Sequence, residues 1–407
     1  MTVHLSDIES AADQIAGAVL RTPLIEAPEL SALSGATVFL KLENLQRAGS
    51  FKTRGALVKL LSLSSEQRRI GVVAMSAGNH AQGVAYHARR LGLPATIVMP
   101  RFTPFTKVER TRAMNARVVL EGETLADSQA HAEQLAEREH LTFVHPYDDP
   151  LIIAGQGTVA LEMLAERPDL EALVVPVGGG GLIAGMAVAA KAIRPSLEVF
   201  GVQAELYPSM LQALRGQSPR VSGSTLAEGI AVKIPGRLTL PLIRDHVADI
   251  LLVGESALEK SVQMLLEVQK VIAEGAGAAA LAALLSHRQR FAGKRVGLVV
   301  SGGNMDPRLI ASILMRGLMR AGRIARLRVE LTDTPGALAK VAALIGESGG
   351  NIIEVAHQRL FSDVPVKFAE IDVMVETTGN AHVADLIERL RAAGFPTRAL
   401  GSLAEGD

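Results

Sequence analysis

From Val38 onward the chain repeats one unit: a short, largely apolar run, a loop, and a segment with apolar residues at helical spacing. The apolar runs fall at 38–42, 72–75, 95–99, 118–120, 142–144, 173–177, 199–203, 250–253 and 296–300. This βαβα order predicts an α/β fold with open, mostly parallel sheets and helices on both faces. Such sheets bind ligands beyond the carboxyl ends of their strands, so function is expected in the strand-to-helix loops. Three of those loops are rich in glycine or small polar residues: 76–83 (SAGNHAQG), 178–185 (GGGGLIAG) and 301–304 (SGGN).

Near Arg323 the pattern changes. A strand at 324–331, the turn TDTPG, a helix at 337–345, strands at 351–359 and 366–375, a helix at 383–391 and a last short strand give the ferredoxin-like order βαββαβ. Leu338, Val341 and Leu344 recur at helical spacing and are expected to form the packed face of its first helix. A length of 407 residues suits two or three domains. The boundary is placed in the basic stretch 316–326, giving a large region over 1–320 and a small domain over 326–402. The large region is expected to comprise two α/β subdomains, the smaller spanning about 50–150.

Composition excludes several classes of function. The 42 Lys and Arg balance 42 Asp and Glu, so no global basic field exists to hold nucleic acid or an anionic membrane. Cysteine is absent, which removes disulfides, thiolate metal sites and a Cys nucleophile together. Asp7 and Glu9 stand where a secretory signal would be basic and then apolar, so a cytoplasmic location is expected. The longest uncharged run, 173–190, is broken by Pro176 and four glycines and reads as strand, loop and helix, not as a membrane span. His80, His87 and His145 show no metal-ligand spacing, and no metal site is expected.

Gly178, Gly179, Gly180 and Gly181 lie between an apolar strand and a helix, where free amides and the helix dipole favour an anion. No Lys-Ser or Lys-Thr follows, so the turn is not a nucleoside-triphosphate loop. Gly179, Gly181 and Ala184, with Glu205 beyond them, satisfy a loose dinucleotide fingerprint, which keeps an NAD-dependent oxidoreductase open as an alternative. Lys52, in GSFKTRGA, falls at a predicted helix start beside Phe51, where its ammonium is disfavoured and the free amine suits Schiff-base chemistry.

The ordered set GSFKTRGA, SAGNHAQG, GGGGLIAG and VVSGGN resembles the fold type II pyridoxal-phosphate enzymes of the threonine and serine dehydratase family, over residues 5–320. The remainder, opened by DTPGAL at 333–338, resembles an ACT domain, a regulatory module that binds small amino acids. The resemblance implies pyridoxal 5′-phosphate held by Lys52 as a Schiff base and packed by Phe51. It further implies Asn79 on the cofactor's 3′-hydroxyl, amides from Gly178 to Leu182 on its phosphate, and Ser301 at the pyridine nitrogen. Ser76, Ala77, Gly78, Asn79 and His80 would receive the substrate carboxylate, Glu274 would contact the substrate hydroxyl, and the cofactor phosphate would protonate the leaving group. The reaction implied is α,β-elimination of water from L-threonine to give 2-oxobutanoate and ammonia, with serine or 3-hydroxyaspartate as alternative substrates. An amino-acid effector at the ACT loops 333–338 and 349–353 and a homodimer or homotetramer are expected on the same ground; inhibition by isoleucine would indicate a role in isoleucine biosynthesis, and a catabolic role stays open. Relatives that racemise serine carry a second base at the position of Ala77 and a cation-binding carboxylate pair in the segment here containing Gln203, Tyr207 and Ser209. Neither racemisation nor an obligatory divalent cation is therefore expected.

Overall fold

The structure is a computed structural model describing residues 2–358 and 368–401. The chain divides into two compact units, Met1–Met305 and Asp306–Asp407. The first contains strands β1 (Leu24–Glu26), β2 (Thr37–Lys41), β3 (Val72–Met75), β4 (Ala95–Met99), β5 (Arg117–Leu120), β6 (Thr142–Phe143), β7 (Ala172–Pro176), β8 (Glu198–Ala204), β9 (Asp249–Val253) and β10 (Arg295–Val299). They form a six-stranded sheet in the order β1-β2-β10-β7-β8-β9 and a four-stranded sheet in the order β5-β4-β3-β6. Every pairing in these sheets is parallel except that of β1 with β2. The edge strand β1, three residues long, lies outside the periodic runs of the sequence.

Strand β7 is buried along its whole length, as a parallel strand covered on both faces must be, which accounts for its unbroken apolar sequence. The helix that follows, Gly181–Ile193, is buried from Gly181 to Ala190. The uncharged run 173–190 is therefore core strand and core helix. Among the described residues no helix is long and apolar enough to cross a membrane.

The second unit opens with the helix Pro307–Arg320, which the sequence pattern alone groups with the large region. It continues with β11 (Ile324–Thr332), β12 (Asn351–Gln358), β13 (Phe368–Glu376) and β14 (Thr397–Leu400), all antiparallel in the order β12-β13-β11-β14. With the helices Ala337–Glu347 and Asn380–Ala392 this is the βαββαβ module. The expected strand ends at Arg359 and Val366, and residue 402, lie outside the described residues. The buried face of the first helix is Ala337, Val341 and Ile345, with Leu344 partly covered, while Leu338 is exposed. A face of residues three to four apart starting at 337 reaches the sheet, and one starting at 338 is rotated off it. Arg326, in the expected boundary stretch, and Arg328 both pair with the buried Asp372 carboxylate of β13.

A buried ionic cluster holds the first unit together around Lys52. Arg54, fully buried, forks onto Glu43 (2.8 and 2.7 Å) and onto Glu162 (2.6 and 2.9 Å), and donates to Thr158 at 3.1 Å. Lys41 of β2 pairs with Glu162 at 2.5 Å and donates to the Thr22 carbonyl at 2.7 Å. Arg54 lies in the first turn of the helix Lys52–Leu61, so its guanidinium ties that helix to the segments carrying Glu43 and Glu162. Removing one partner of such a group strands the remaining charges without solvent. Arg54→Ala is expected to destabilise the cofactor-free protein by about 3–5 kcal/mol in urea unfolding, and Arg54→Lys, which cannot fork, to recover only part of that. A loss under about 1 kcal/mol would mean that the guanidinium does not hold the cluster.

Candidate active site

The loops after β2 and β10 are stitched together. Ser50 pairs with Gly302 in an isolated antiparallel bridge, and the Phe51 amide donates to the Ser301 carbonyl at 3.2 Å. This fixes Lys52 at the start of its helix with its ammonium 5.3 Å from the Phe51 ring centroid. Its Nζ donates to the Pro146 carbonyl at 2.7 Å. Part of Lys52 remains accessible, but desolvation of the amine pushes its pKa down to about 8, opposed by the Glu274 carboxylate. A carbonyl is a weaker partner for an ammonium than a carboxylate would be, so the amine is readily released as a nucleophile.

The tetraglycine turn is reached through the residue next to Pro146. A Cβ on Gly179 would lie 2.3–2.4 Å from the Tyr147 ring, and one on Gly181 would lie 2.9 Å from the Tyr147 carbonyl. Gly180 has φ +99°, in the left-handed region. Only glycine allows both the approach and this backbone. The helix Gly181–Ile193 has no side chain capping its N-terminus, which leaves its first amides, including those of Gly181 and Leu182, for an anion. One peptide step, about 3.8 Å between Cα atoms, separates the residue that holds the amine from the one packed on the turn. A molecule the size of pyridoxal phosphate can span the two.

Asn79, Glu274 and Asn304 form a second chain of contacts. Asn304 Nδ2 donates to the Ala48 carbonyl (2.7 Å) and to Asn79 Oδ1 (2.8 Å), and Asn79 Nδ2 donates to Glu274 Oε1 (2.5 Å). Glu274 precedes the helix Gly275–Ser286, yet its side chain makes no capping bond. Its carboxylate accepts from Asn79 instead. Burial raises its pKa to about 7. Ser301 is buried and its hydroxyl has only a long contact, 3.4 Å, to the Ala276 carbonyl. Ser76 Oγ accepts the Gly78 amide at 3.1 Å, and Ser76, Ala77 and Gly78 lead into the helix Asn79–Leu91, which also lacks a side-chain cap. His80 points its ring to the Val144 carbonyl at 2.8 Å, and burial holds its pKa down to about 3.

These residues fit pyridoxal phosphate. The amine, the uncapped glycine turn, a hydroxyl at Ser301 and the buried, unpartnered Ser50 Oγ beside them provide a nucleophile, an anion cradle and spare polar atoms. Residues 15–302 match the pyridoxal-phosphate dependent enzyme family and residues 325–395 match the ACT domain. The chain belongs to the pyridoxal-phosphate dependent enzymes. It is 45% identical over 401 residues to the L-threonine ammonia-lyase of Thermotoga maritima, a match covering 98% of this chain and all of that one. Among solved structures it is similar to a threonine deaminase from T.th. (TM-score 0.71, 41% identity, 74% of this chain and 99% of that one). It is similar also to the maize serine racemase (TM-score 0.74, 34% identity, 78% and 98%). As a pyridoxal-phosphate dependent enzyme of fold type II, it takes that cofactor, and the nicotinamide reading of Gly179, Gly181, Ala184 and Glu205 falls away.

Gln203 and Ser209 are engaged internally: Gln203 Oε1 accepts the Leu211 amide at 3.0 Å and Ser209 Oγ donates to the Val232 carbonyl at 2.6 Å. Among the described residues no group of three or more His, Asp or Glu is placed to hold a metal ion. The sequence reading missed the segment 145–149 as a unit, Thr239, and the part played by Asn304. A proline-containing polar run directly after β6 was the available signal.

The Lys52 pKa carries a stability consequence with a definite sign. Its folded value, about 8, is below its ordinary value of 10.5, so in the cofactor-free protein burial of the charge destabilises the fold at neutral pH. That penalty fades as pH rises from about 8 towards 10.5. Cofactor-free Lys52→Met is expected to be more stable than wild type by about 2–3 kcal/mol at pH 7, with the gap closing at alkaline pH in denaturant titrations. A gap independent of pH would contradict the assignment.

Proposed function

We propose that this enzyme is a threonine ammonia-lyase converting L-threonine to 2-oxobutanoate and ammonia by α,β-elimination of water, that it also accepts L-serine, and that it acts in the cytoplasm. The observation that carries the reading is the Lys52 amine held on the Pro146 carbonyl, next in the chain to Tyr147, which packs on the tetraglycine turn. The choice of threonine is supported by the near full-length likeness to the Thermotoga maritima lyase and by a second L-threonine ammonia-lyase, from Geobacter sulfurreducens, 44% identical over 95% of this chain and 97% of its own.

Bound pyridoxal phosphate supplies the electron sink that makes the substrate Cα–H acidic. The amides from Gly178 to Leu182 would hold its phosphate, and the second amide hydrogen of Asn79, not used by Glu274, would be available to its 3′-hydroxyl. Ser301 would offer its ring nitrogen a hydroxyl, which, unlike a carboxylate, does not keep a proton fixed there. Ser76 to His80 offer backbone amides at an uncapped helix start to the substrate carboxylate. Lys52, with a pKa of about 8, is the base for the Cα proton. Glu274, with a pKa of about 7, keeps a proton in part of the population at neutral pH and faces the substrate hydroxyl. Loss of that hydroxyl as water, followed by hydrolysis of the released enamine, gives the keto acid and ammonia. Ala77 brings no dissociable proton to its loop, which disfavours racemisation. The ACT unit takes a small amino-acid effector at 333–338 and 349–353, and the protein works as a homodimer or homotetramer.

Keto-acid release with threonine, serine and 3-hydroxyaspartate, repeated with branched-chain amino acids present, measures both substrate choice and regulation. Threonine is expected to be the best substrate. Lys52→Ala is expected to lose turnover by about 10³-fold or more, and borohydride is expected to fix the cofactor to the Lys52 peptide. Retained turnover in Lys52→Ala would overturn the proposal.

A further inference from the structure

The segment 145–149, His-Pro-Tyr-Asp-Asp, follows β6, a strand of two residues, and the reaction above gives it no role beyond one carbonyl. Its residues nevertheless engage both ends of the cofactor site. Pro146 holds the Lys52 amine at 2.7 Å. Tyr147 lies against Gly179 and Gly181, and its hydroxyl donates to the Ile234 carbonyl at 3.0 Å. The Asp148 carboxylate accepts the amides of Arg237 and Leu238 (2.9 Å each) and of Thr239 (3.3 Å), which opens the helix Thr239–His246. Thr239 Oγ1 in turn donates to the Gly179 carbonyl at 2.7 Å. Asp149 caps the helix Pro150–Glu166 and pairs with Lys59 at 2.6 Å, two turns along the helix that starts at Lys52.

The shape of this segment comes from His145. Its Nδ1 accepts two backbone amides, those of Tyr147 (3.2 Å) and Asp148 (2.7 Å), folding the chain back over the ring, which packs edge-on against Tyr147 at 4.7 Å. Both bonds need an unprotonated Nδ1. Burial lowers the His145 pKa and Lys52 lowers it further, while Asp148, Asp149 and Glu133 oppose. We propose that 145–149 is a spacer that sets the separation between the Lys52 amine and the 178–181 turn, with His145 as the positioning residue that gives it its shape. A flexible segment here would let the covalent and anionic ends of the site move independently, and a misplacement of about 1 Å is enough to lower a rate by about 10²-fold.

This inference rests on the turn being the cofactor's phosphate site, and the test separates the two. Cofactor-free full-length protein is titrated with pyridoxal phosphate and followed by the visible absorbance of the lysine adduct, for wild type, His145→Phe, His145→Asn and Thr239→Val. His145→Phe keeps a ring and loses the acceptor, and is expected to weaken cofactor binding about 10- to 100-fold. His145→Asn returns an acceptor at the same distance from Cβ and is expected to restore most of the affinity. Thr239→Val, which removes only the hydroxyl holding Gly179, is expected to weaken binding as well, and decides the matter if His145→Phe does not fold. A purely structural defect would lower the melting temperature while the folded fraction bound normally. Wild type without the adduct band would sink the lyase reading itself. Wild-type affinity in a folded His145→Phe or in Thr239→Val, or an Asn variant as weak as Phe, would overturn the spacer and leave the lyase reading standing.

Discussion

The hydrogen bond from Lys52 to the Pro146 carbonyl is the contact on which the site depends. A buried lysine facing a carboxylate would be locked as an ammonium, and one facing nothing would draw in water. A carbonyl orients the amine and lets burial lower its pKa to about 8. The same carbonyl belongs to a segment packed on the tetraglycine turn, so the bond that orients the Lys52 amine also places it relative to that turn.

That bond holds its geometry because rigid elements converge on it. The helix carrying Lys52 is gripped in its first turn by Arg54 and two turns on by Lys59, each anchored to the helix Pro150–Glu166 or to its cap at Asp149. The Ser50–Gly302 bridge ties the preceding residues to the loop after β10. The functional loops follow β2, β3, β6, β7 and β10, drawn from both sheets of the first unit. Parallel strands place those loops on one side of each sheet, which is why polar chemistry gathers there while β7 remains wholly apolar and the helix after it is buried through its first ten residues.

Much of this was legible in the sequence because it is written in periods and in glycine. The apolar runs at 72–75 and 95–99 are the strands Val72–Met75 and Ala95–Met99, and the others differ by one residue at one or both ends. The four glycines stood out because glycine costs strand and helix stability, and Lys52 because it occurs together with that turn and two further polar loops. What stayed hidden has no period. The three-residue β1 exists through its pairing with β2, and the 145–149 segment works through a histidine nitrogen accepting backbone amides and an aspartate whose carboxylate reaches amides far along the chain, at Leu238 and Thr239. Asn304 lies within the motif SGGN, but its side-chain partners, Ala48 and Asn79, come from distant loops. The exposed Leu338 shows that helical spacing finds a face without fixing its rotation to within one residue.

The same burial yields opposite results at two places a few residues apart. Arg54 is wholly desolvated, yet two carboxylates fork onto it, its pKa is driven up, and Glu43 beside it is held below the usual carboxylate range. Each shift favours the charged form of its group. At the site Lys52 is pushed down to about 8 and Glu274 up to about 7, each towards its neutral form, because their principal hydrogen-bond partners are a neutral carbonyl and a neutral amide. Two groups whose pKa values are this close, and both near neutrality, can each give up or take a proton at small driving force. The fold thus separates the two uses of buried charge by the partners it supplies: charged forks where a helix must be fixed, neutral dipoles where a proton must move.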